Sequence, residues 1–300
     1  RRFSESVSVY GEERANFGDT SGLTHAYGVD YTPIEGMRIG ASMEVGDVET
    51  EFARFEREAY TASAGYSTDK FSTGLAYEYR DDSNGAENRE TWLARANVSL
   101  QLNDDWRAIA RAAHAESNSD LGSLFAGDFT EASVGAAYRP VEHDRVNALF
   151  RYTYYKDLPP AQQVGINGGT LVPAQTSHVL SADANYRVNN WLTVGGKYGY
   201  RSGEVSMTRL SDDFVNSDAH LGVARADFHI TSKWDALLEG RVLSVTEAED
   251  MRMGFLAAVH RHIGDNAKVG IGYNFTDFSD DLTDQTYDDH GVFLNLVAKF

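Results

Sequence analysis

The chain has 300 residues, no cysteine and a formal charge of -18, with 12% aromatic residues, 27 glycines and 5 prolines. Its acidity argues against a nucleic-acid partner, because phosphates would be repelled, and the lack of cysteine excludes a disulfide framework and a thiolate metal site. The mean hydropathy is -0.43 and no run of about 18 apolar residues occurs, which excludes helical membrane spans.

Segments with apolar residues at every second position follow one another along the chain, and a period of two is the strand period. Their lengths are near the roughly 9–11 residues that a tilted strand needs to cross a membrane. The first segment, around Phe3–Gly11, is the least regular. The apolar faces of clear examples are Leu23/Tyr27/Val29/Tyr31, Met37/Ile39/Ala41/Met43/Val45, Trp92/Ala94/Ala96/Val98/Leu100, Leu192/Val194/Gly196/Tyr198/Tyr200 and Ala267/Val269/Ile271/Tyr273/Phe275. The sequence predicts one all-β domain over 1–300, an antiparallel up-and-down transmembrane β-barrel of about sixteen strands.

Connections between these segments alternate in length. The short ones have turn chemistry, as in Thr32–Gly36, Ser67–Lys70, Leu102–Asp105, Val188–Asn190, Thr231–Lys233 and Gly264–Asn266. The long ones are rich in Asp, Ser, Asn and Gly, as in Asp81–Asn88, Glu116–Asp128, Asp157–Gln175, Ser202–Asn216 and Thr276–Thr286. Short turns at one end and long loops at the other are typical of membrane barrels. The longest loop, Asp157–Gln175, is the only one that the sequence predicts to fold inward as a constriction.

Aromatic residues concentrate at both ends of the predicted strands. Two membrane–water interfaces require two such girdles, whereas a soluble sandwich or propeller would explain the alternation but not the girdles. The residues predicted to lie at the membrane interfaces are Tyr31, Tyr66, Trp106, Tyr138, Tyr186, Trp191 and Trp234 next to short turns, and Tyr77, Tyr79, Tyr152, Tyr154, Tyr198, Tyr200, Tyr273 and Phe275 before long loops.

The last ten residues, Gly291–Phe300, alternate once more and end on an aromatic residue in register with the apolar face. This ending resembles the C-terminal signature of bacterial outer-membrane β-barrels. The resemblance implies that Phe300 is an assembly signal read by the barrel-assembly machinery, and that the long loops face outward from the outer membrane. Because no secretory signal precedes the first segment, the chain is expected to be a mature protein or the C-terminal part of a longer precursor.

The face opposite the apolar one, which a barrel turns toward its lumen, mixes basic and acidic residues. The basic residues predicted to line the pore are Arg38, Arg80, Arg95, Arg107, Arg111, Arg151, Lys197, Arg201 and Arg241, and Arg187, Arg225 and Arg252 share their face. Acids on this face are Asp30, Glu44, Glu78, Asp183, Asp227, Asp235 and Glu239. These charges either pair across strands or create a field that selects solutes by charge. Glycines at 28, 40, 74, 135, 195, 270 and 272 are expected to leave space in the lumen.

Candidate metal and catalytic sites are sparse. Acid pairs at Asp81-Asp82, Asp212-Asp213, Asp280-Asp281 and Asp288-Asp289 could hold Ca²⁺ or Mg²⁺ weakly at the outer loops, but none has EF-hand spacing. His260 and His262 share a strand face without a third zinc ligand. Because no nucleophile elbow, P-loop or dinucleotide fingerprint occurs, we expect no cofactor and no enzymatic activity.

Two functions follow from these patterns. The first is a porin-like channel in the outer membrane for passive diffusion of small hydrophilic solutes. The second is an anchoring barrel of a larger surface protein or envelope assembly, because the stretches Gly272–Asp281 and Tyr287–Gly291 resemble the endings of barrels at the C-terminus of long surface proteins. Expected partners are outer-membrane lipid and lipopolysaccharide, the barrel-assembly machinery, and either further copies of the chain or an envelope protein.

Overall fold

The computed structural model describes residues 6–16, 22–49, 54–122, 126–143, 145–158, 174–206, 213–264, 267–276, 278, 282 and 291–298. These residues form seventeen β-strands, one of which, β12, has only two residues. The strands are β1 (Val7–Asn16), β2 (Gly22–Tyr31), β3 (Met37–Glu49), β4 (Arg54–Ser67), β5 (Phe71–Ser83), β6 (Asn88–Gln101), β7 (Trp106–Ser119), β8 (Gly127–Tyr138), β9 (Val146–Leu158), β10 (Ala174–Arg187), β11 (Leu192–Ser206), β12 (Val215–Asn216), β13 (Ala219–Thr231), β14 (Trp234–Val245), β15 (Asp250–Ile263), β16 (Ala267–Asn274) and β17 (Gly291–Ala298). Within this part of the chain, no helix is long and apolar enough to span a membrane.

The strands form one antiparallel up-and-down sheet. Each long strand pairs with the next one along the chain, from β1–β2 to β16–β17, and β11 pairs with β13 past the short β12. The ladder that would join β1 to β17 is not among the pairings of the described residues. The expected count of about sixteen strands is confirmed by the described residues, with the two-residue β12 as a short addition.

Asparagine and threonine side chains close the short turns between strands. Asn103 Oδ1 accepts hydrogen bonds from the backbone N–H groups of Asp105 and Trp106, and Asn189 Oδ1 does the same for Trp191 and Leu192. These bonds occupy backbone donors that a strand end would otherwise leave unpaired. Gly36, with a φ of 79°, ends the β2–β3 turn in a conformation that favours glycine.

The two faces of the sheet differ in chemistry. On one face lie large, exposed apolar side chains, among them Leu75 (60% exposed), Ile271 (57%) and Leu294 (79%). The alternate residues on the other face are mainly polar and charged, and directly paired residues on neighbouring strands share a face. A membrane barrel turns its apolar face to lipid, so we call the polar face the inner face.

Several strands extend farther than the sequence predicted. β1 continues to Asn16 rather than ending near Gly11, although it begins later, at Val7; β4 begins at Arg54, and β5 continues through Asp81 and Asp82 to Ser83. The polar residues that suggested an early loop continue the alternation, and Arg57 and Asp82 are directly paired across β4 and β5. Because opposite charges on paired positions stabilise a sheet, the strands extend beyond their apolar segments.

Candidate functional site

All the basic residues predicted to line the pore lie on the inner face, as the pairing register shows. Their surroundings differ. Arg95, Arg107, Arg111 and Arg151 are exposed, and they make no ion pair with any described residue. They lie on β6, β7 and β9, and we call these four side chains the arginine wall.

The cross-strand neighbours explain why the arginine wall has no acidic partners. Arg95 is paired with Ala76 and Ala113, and Arg111 with Asn97 and Ser133. Positions paired with Arg107 and Arg151 hold Gln101, Ala137, Gly135 and Ser181. None of these neighbours carries a negative charge, so no directly paired position supplies a carboxylate to these guanidinium groups.

On the inner faces of β10 and β13 to β16 most charged side chains form ion pairs. We call these inner faces the paired wall. Arg225 on β13 reaches over β11 and donates from Nε to Asn185 Oδ1 (2.9 Å) and from Nη2 to Asp183 Oδ1 (3.0 Å) on β10. Gly195 makes this possible, because a Cβ there would lie 2.6 Å from Arg225 Nε. On β14, Arg241 Nε donates to Glu239 Oε1 (2.6 Å).

Asp235 is the centre of a charged cluster at the turn end of the paired wall. Its Oδ1 lies 3.0 Å from His229 Nδ1, and its Oδ2 lies 2.8 Å from His262 Nε2 and 2.9 Å from Lys268 Nζ. His260 instead lies against Gly270. The lysine ammonium occupies the place where a cation would approach, and the described residues contain no group of three potential metal ligands in a suitable arrangement.

The other predicted pore residues also have partners. Arg38 donates to both oxygens of Asp30 (3.0 and 2.6 Å), and Arg80 Nε lies 3.5 Å from Asp82 Oδ2. Lys197 also has an interaction partner. Arg201 is only 6% exposed and donates from Nη1 to the carbonyl oxygen of Leu282 (3.4 Å).

Part of the chain between β16 and β17 folds onto the inner face. Phe278 and Leu282, which we call the inner segment, are 5% and 8% exposed and pack in one cluster with Val179, Leu221 and Val223. Gly199 leaves the space that Leu282 fills, since a Cβ there would lie 2.9 Å from Leu282 Cδ1. The prediction that only the loop Asp157–Gln175 could fold inward is therefore wrong. Residues 159–173 of that loop lie outside the described residues.

The expectation that inner-face glycines leave open space is also wrong where neighbours cover them. A Cβ at Gly28 would lie 2.3 Å from the Tyr10 ring, and one at Gly272 would lie 2.4 Å from the Phe293 ring. Aromatic side chains lie flat across these glycines and fill the space, a known device for protecting glycine in a sheet.

The predicted interface aromatics lie on the apolar face, and those next to short turns, with Tyr273 and Phe275, lie at or beside strand ends. The expectation that the others end strands is wrong, because β5, β9 and β11 continue past them and leave them near mid-strand: Tyr77, Tyr79, Tyr152, Tyr154, Tyr198 and Tyr200. The same tyrosine–histidine contact occurs twice on this face. Tyr152 Oη lies 2.7 Å from His178 Nδ1, and Tyr198 Oη lies 2.8 Å from His220 Nδ1. An aromatic residue with one polar group suits an apolar surface that meets water. Phe300 lies outside the described residues, so its assembly role stays a prediction.

The acid pairs do not form one type of site. Asp81 and Asp82 lie in β5 on opposite faces rather than in a loop, and Asp82 accepts two hydrogen bonds from Arg57. Asp212, Asp280, Asp281, Asp288 and Asp289 lie outside the described residues. Weakly bound Ca²⁺ or Mg²⁺ at the outer loops stays a prediction.

Sequence analysis missed Phe55, Arg57 and Arg89, which line a cavity of about 340 Å³ on the inner face together with Arg80 and Phe129. Phe55 and Arg57 precede the apolar segment that begins at Tyr60, and Arg89 directly follows the predicted loop Asp81–Asn88. The signal that could have found them is the continued alternation of Phe55, Arg57 and Ala59.

No protein-family model matches the chain, and no curated protein sequence matches it. Solved structures do resemble it. The alcaligin outer-membrane receptor FauA from Bordetella pertussis superposes with a TM-score of 0.63 at 8% identity, over 100% of this chain and 59% of the receptor chain. This chain has the fold of an outer-membrane β-barrel.

A second neighbour supports the same fold. The copper transporter OprC superposes with a TM-score of 0.56 at 9% identity, over 98% of this chain and 60% of the transporter chain. The chain therefore spans about three fifths of the length of both neighbours. At such low identity, the likeness concerns the architecture and not the solutes.

Proposed function

We propose that this chain is an outer-membrane channel through which small hydrophilic solutes diffuse passively, with a preference for anions. The observation that carries the proposal is the arginine wall, whose four guanidinium groups are exposed on the inner face and make no ion pair with any described residue. Rings of basic side chains favour anions in membrane pores. Outer-membrane location, contact with lipopolysaccharide and delivery by the barrel-assembly machinery belong to the same proposal.

The position of the inner segment supports a path along the arginine wall. Phe278 and Leu282 pack on the inner faces of β10, β11 and β13, so they fill space on the side of the paired wall. The arginine wall on β6, β7 and β9 is left exposed. A solute that passes the inner segment would therefore move beside unpaired guanidinium groups.

The chain charge of -18 does not oppose an anion preference. Charges are screened over about 10 Å at 0.1 M salt, so acids in outer loops beyond that distance contribute little at the arginine wall. The field along the path is set by the nearest charges.

Reversal potentials in planar bilayers under a salt gradient test this function. The wild-type channel should favour chloride over potassium, and the combined variant R95Q/R107Q/R111Q/R151Q should lose this preference. The matched control D183N/R225Q removes a charge pair and should leave the selectivity unchanged. Cation selectivity that persists in the arginine variant would refute the proposal, and absence of any conductance would favour the alternative of an anchoring barrel.

A further inference from the structure

The cavity near the long-loop end of the inner face combines charge with aromatic surface. We call it the arginine pocket; it has a volume of about 340 Å³ and is lined by Phe55, Arg57, Arg80, Arg89 and Phe129, among others. This volume lies at the small end of the range for ligand pockets. The lining residues come from β3 to β9, and the pairing register places the five named residues on the inner face.

The charges in the arginine pocket are not balanced around Arg80. Asp82 accepts two hydrogen bonds from Arg57, at 2.7 and 3.0 Å, so its carboxylate is already occupied. Arg80 Nε lies 3.5 Å from the same carboxylate and makes no hydrogen bond, although the atom is buried. Arg89 donates to Glu87 (2.8 Å). The Asp82 carboxylate therefore lies between two guanidinium groups but accepts hydrogen bonds only from Arg57. The Nε–H donor of Arg80 has no acceptor among the described residues.

A buried donor without an acceptor is costly, and a charged donor gains most from an anionic acceptor. The directly paired position beside Arg80 is Thr91, whose hydroxyl lies 2.8 Å from that of Ser117. Because one of these hydroxyls donates to the other, the pair offers one free O–H donor beside the guanidinium, which suits one oxygen of a carboxylate.

The remaining surface of the pocket suits an apolar group. Phe55 is 5% exposed beneath the guanidinium group of Arg89, whose Cζ lies 5.9 Å from the ring centroid. Phe129 packs edge-to-face against Tyr155 at 5.7 Å. Aromatic walls of this kind bury the body of a small ligand while a few polar groups orient it.

The far side of the pocket carries a negative charge. Asp157 is directly paired with Phe129, and its Oδ2 accepts a hydrogen bond from Tyr155 Oη (3.2 Å). Asp128, also at the pocket, is held in an ion pair with Lys156. A ligand with a second negative charge at its distal end would be repelled by Asp157.

We infer that the arginine pocket binds small organic monoanions, with a carboxylate at Arg80 and an apolar or aromatic body toward Phe129. The inference rests on the proposed function and deepens it, because it names the class of solute that binds transiently inside the channel. Dicarboxylates with charges at opposite ends and neutral analogues are excluded by Asp157 and Arg80, respectively.

Fluorine NMR titration of the full chain in nonionic detergent with 4-fluorobenzoate tests the pocket without any measurement of flux. We expect saturable binding, with weaker binding of 4-fluorobenzyl alcohol and of tetrafluoroterephthalate. R80Q should weaken 4-fluorobenzoate about tenfold, as expected for loss of a charge-assisted hydrogen bond. R38Q is the matched control, because it removes the same charge from the inner face outside both the pocket and the arginine wall, and it should leave binding unchanged.

A second variant keeps the test decisive if R80Q fails to fold. F129A should weaken 4-fluorobenzoate but leave the binding of fluoroacetate, which lacks an aromatic body, unaltered. Equal binding of 4-fluorobenzoate by the wild type and R80Q, or equal binding of the alcohol and the carboxylate, would overturn the inference. A conducting, anion-selective barrel without saturable binding would refute the pocket alone, whereas binding without conductance would refute only the channel.

Discussion

The four side chains of the arginine wall, on β6, β7 and β9, are exposed beside alanine, serine, glycine and amide residues, whereas on β10 and β13 to β16 the inner-face cations meet carboxylates. Both regions follow the same alternation, so the difference comes from the partners and not from the pattern. Pairing leaves a hydrated wall with little net field, while lack of pairing leaves a field that acts on solutes. Under the proposed function, the paired wall stabilises the barrel and the arginine wall selects solutes by charge.

The largest expected effect tests whether both walls lie on the face turned away from lipid. L75R places a guanidinium on the exposed apolar face and should lower the free energy of unfolding by about 2–4 kcal/mol near the bilayer midplane. T61R, on the inner face opposite Glu78, should cost far less. Urea unfolding in lipid vesicles measures both, and equal losses would show that the two faces have been assigned wrongly.

The second-largest expected loss of stability concerns the inner segment, which packs on the inner faces of β10, β11 and β13. L282A removes most of a side chain that is 8% exposed, and should weaken docking of the segment by about 2–3 kcal/mol, the low end for buried leucine. Faster hydrogen exchange near Leu282 and a larger single-channel conductance should follow. L294A, the same change on the exposed apolar face, is the control; identical exchange in L282A and the wild type would contradict the docking.

Removal of the central carboxylate of the paired wall should have a smaller effect. D235A leaves His229, His262 and Lys268 without their shared acceptor. The free energy of unfolding should fall by about 1–2 kcal/mol, because solvent partly screens charge-assisted hydrogen bonds to half-exposed partners. The exposed Glu131 beside the arginine wall is the comparison, since E131A should change the unfolding free energy little. A stability loss in E131A as large as in D235A would remove the distinction between the two walls.

The smallest effect on stability converts part of the arginine wall into a paired wall. S133D places a carboxylate directly opposite Arg111, and should raise the free energy of unfolding by about 0.2–1 kcal/mol. The anion preference in planar bilayers should fall at the same time, whereas S133N should preserve it. An undiminished preference in S133D would show that Arg111 does not contribute to selectivity.

The alternation of residues alone determined the strand content, the two faces and the placement of Arg95, Arg107, Arg111 and Arg151 on the polar one. This information is local, because the side-chain direction in a strand repeats every two residues whatever the rest of the chain does. The short turns could also be predicted from the sequence, because Asn103 and Asn189 accept hydrogen bonds from backbone groups only two and three residues away.

Only the tertiary structure decided which charges are paired, and the reason is distance along the chain. Arg225 reaches Asp183 across the intervening β11, 42 residues away, because Gly195 leaves the path open. Arg201 binds the carbonyl of Leu282, 81 residues away. Such contacts depend on register, on the curvature of the sheet and on small residues in intermediate strands. No periodicity along the sequence encodes them, and the same holds for the inner segment and the arginine pocket.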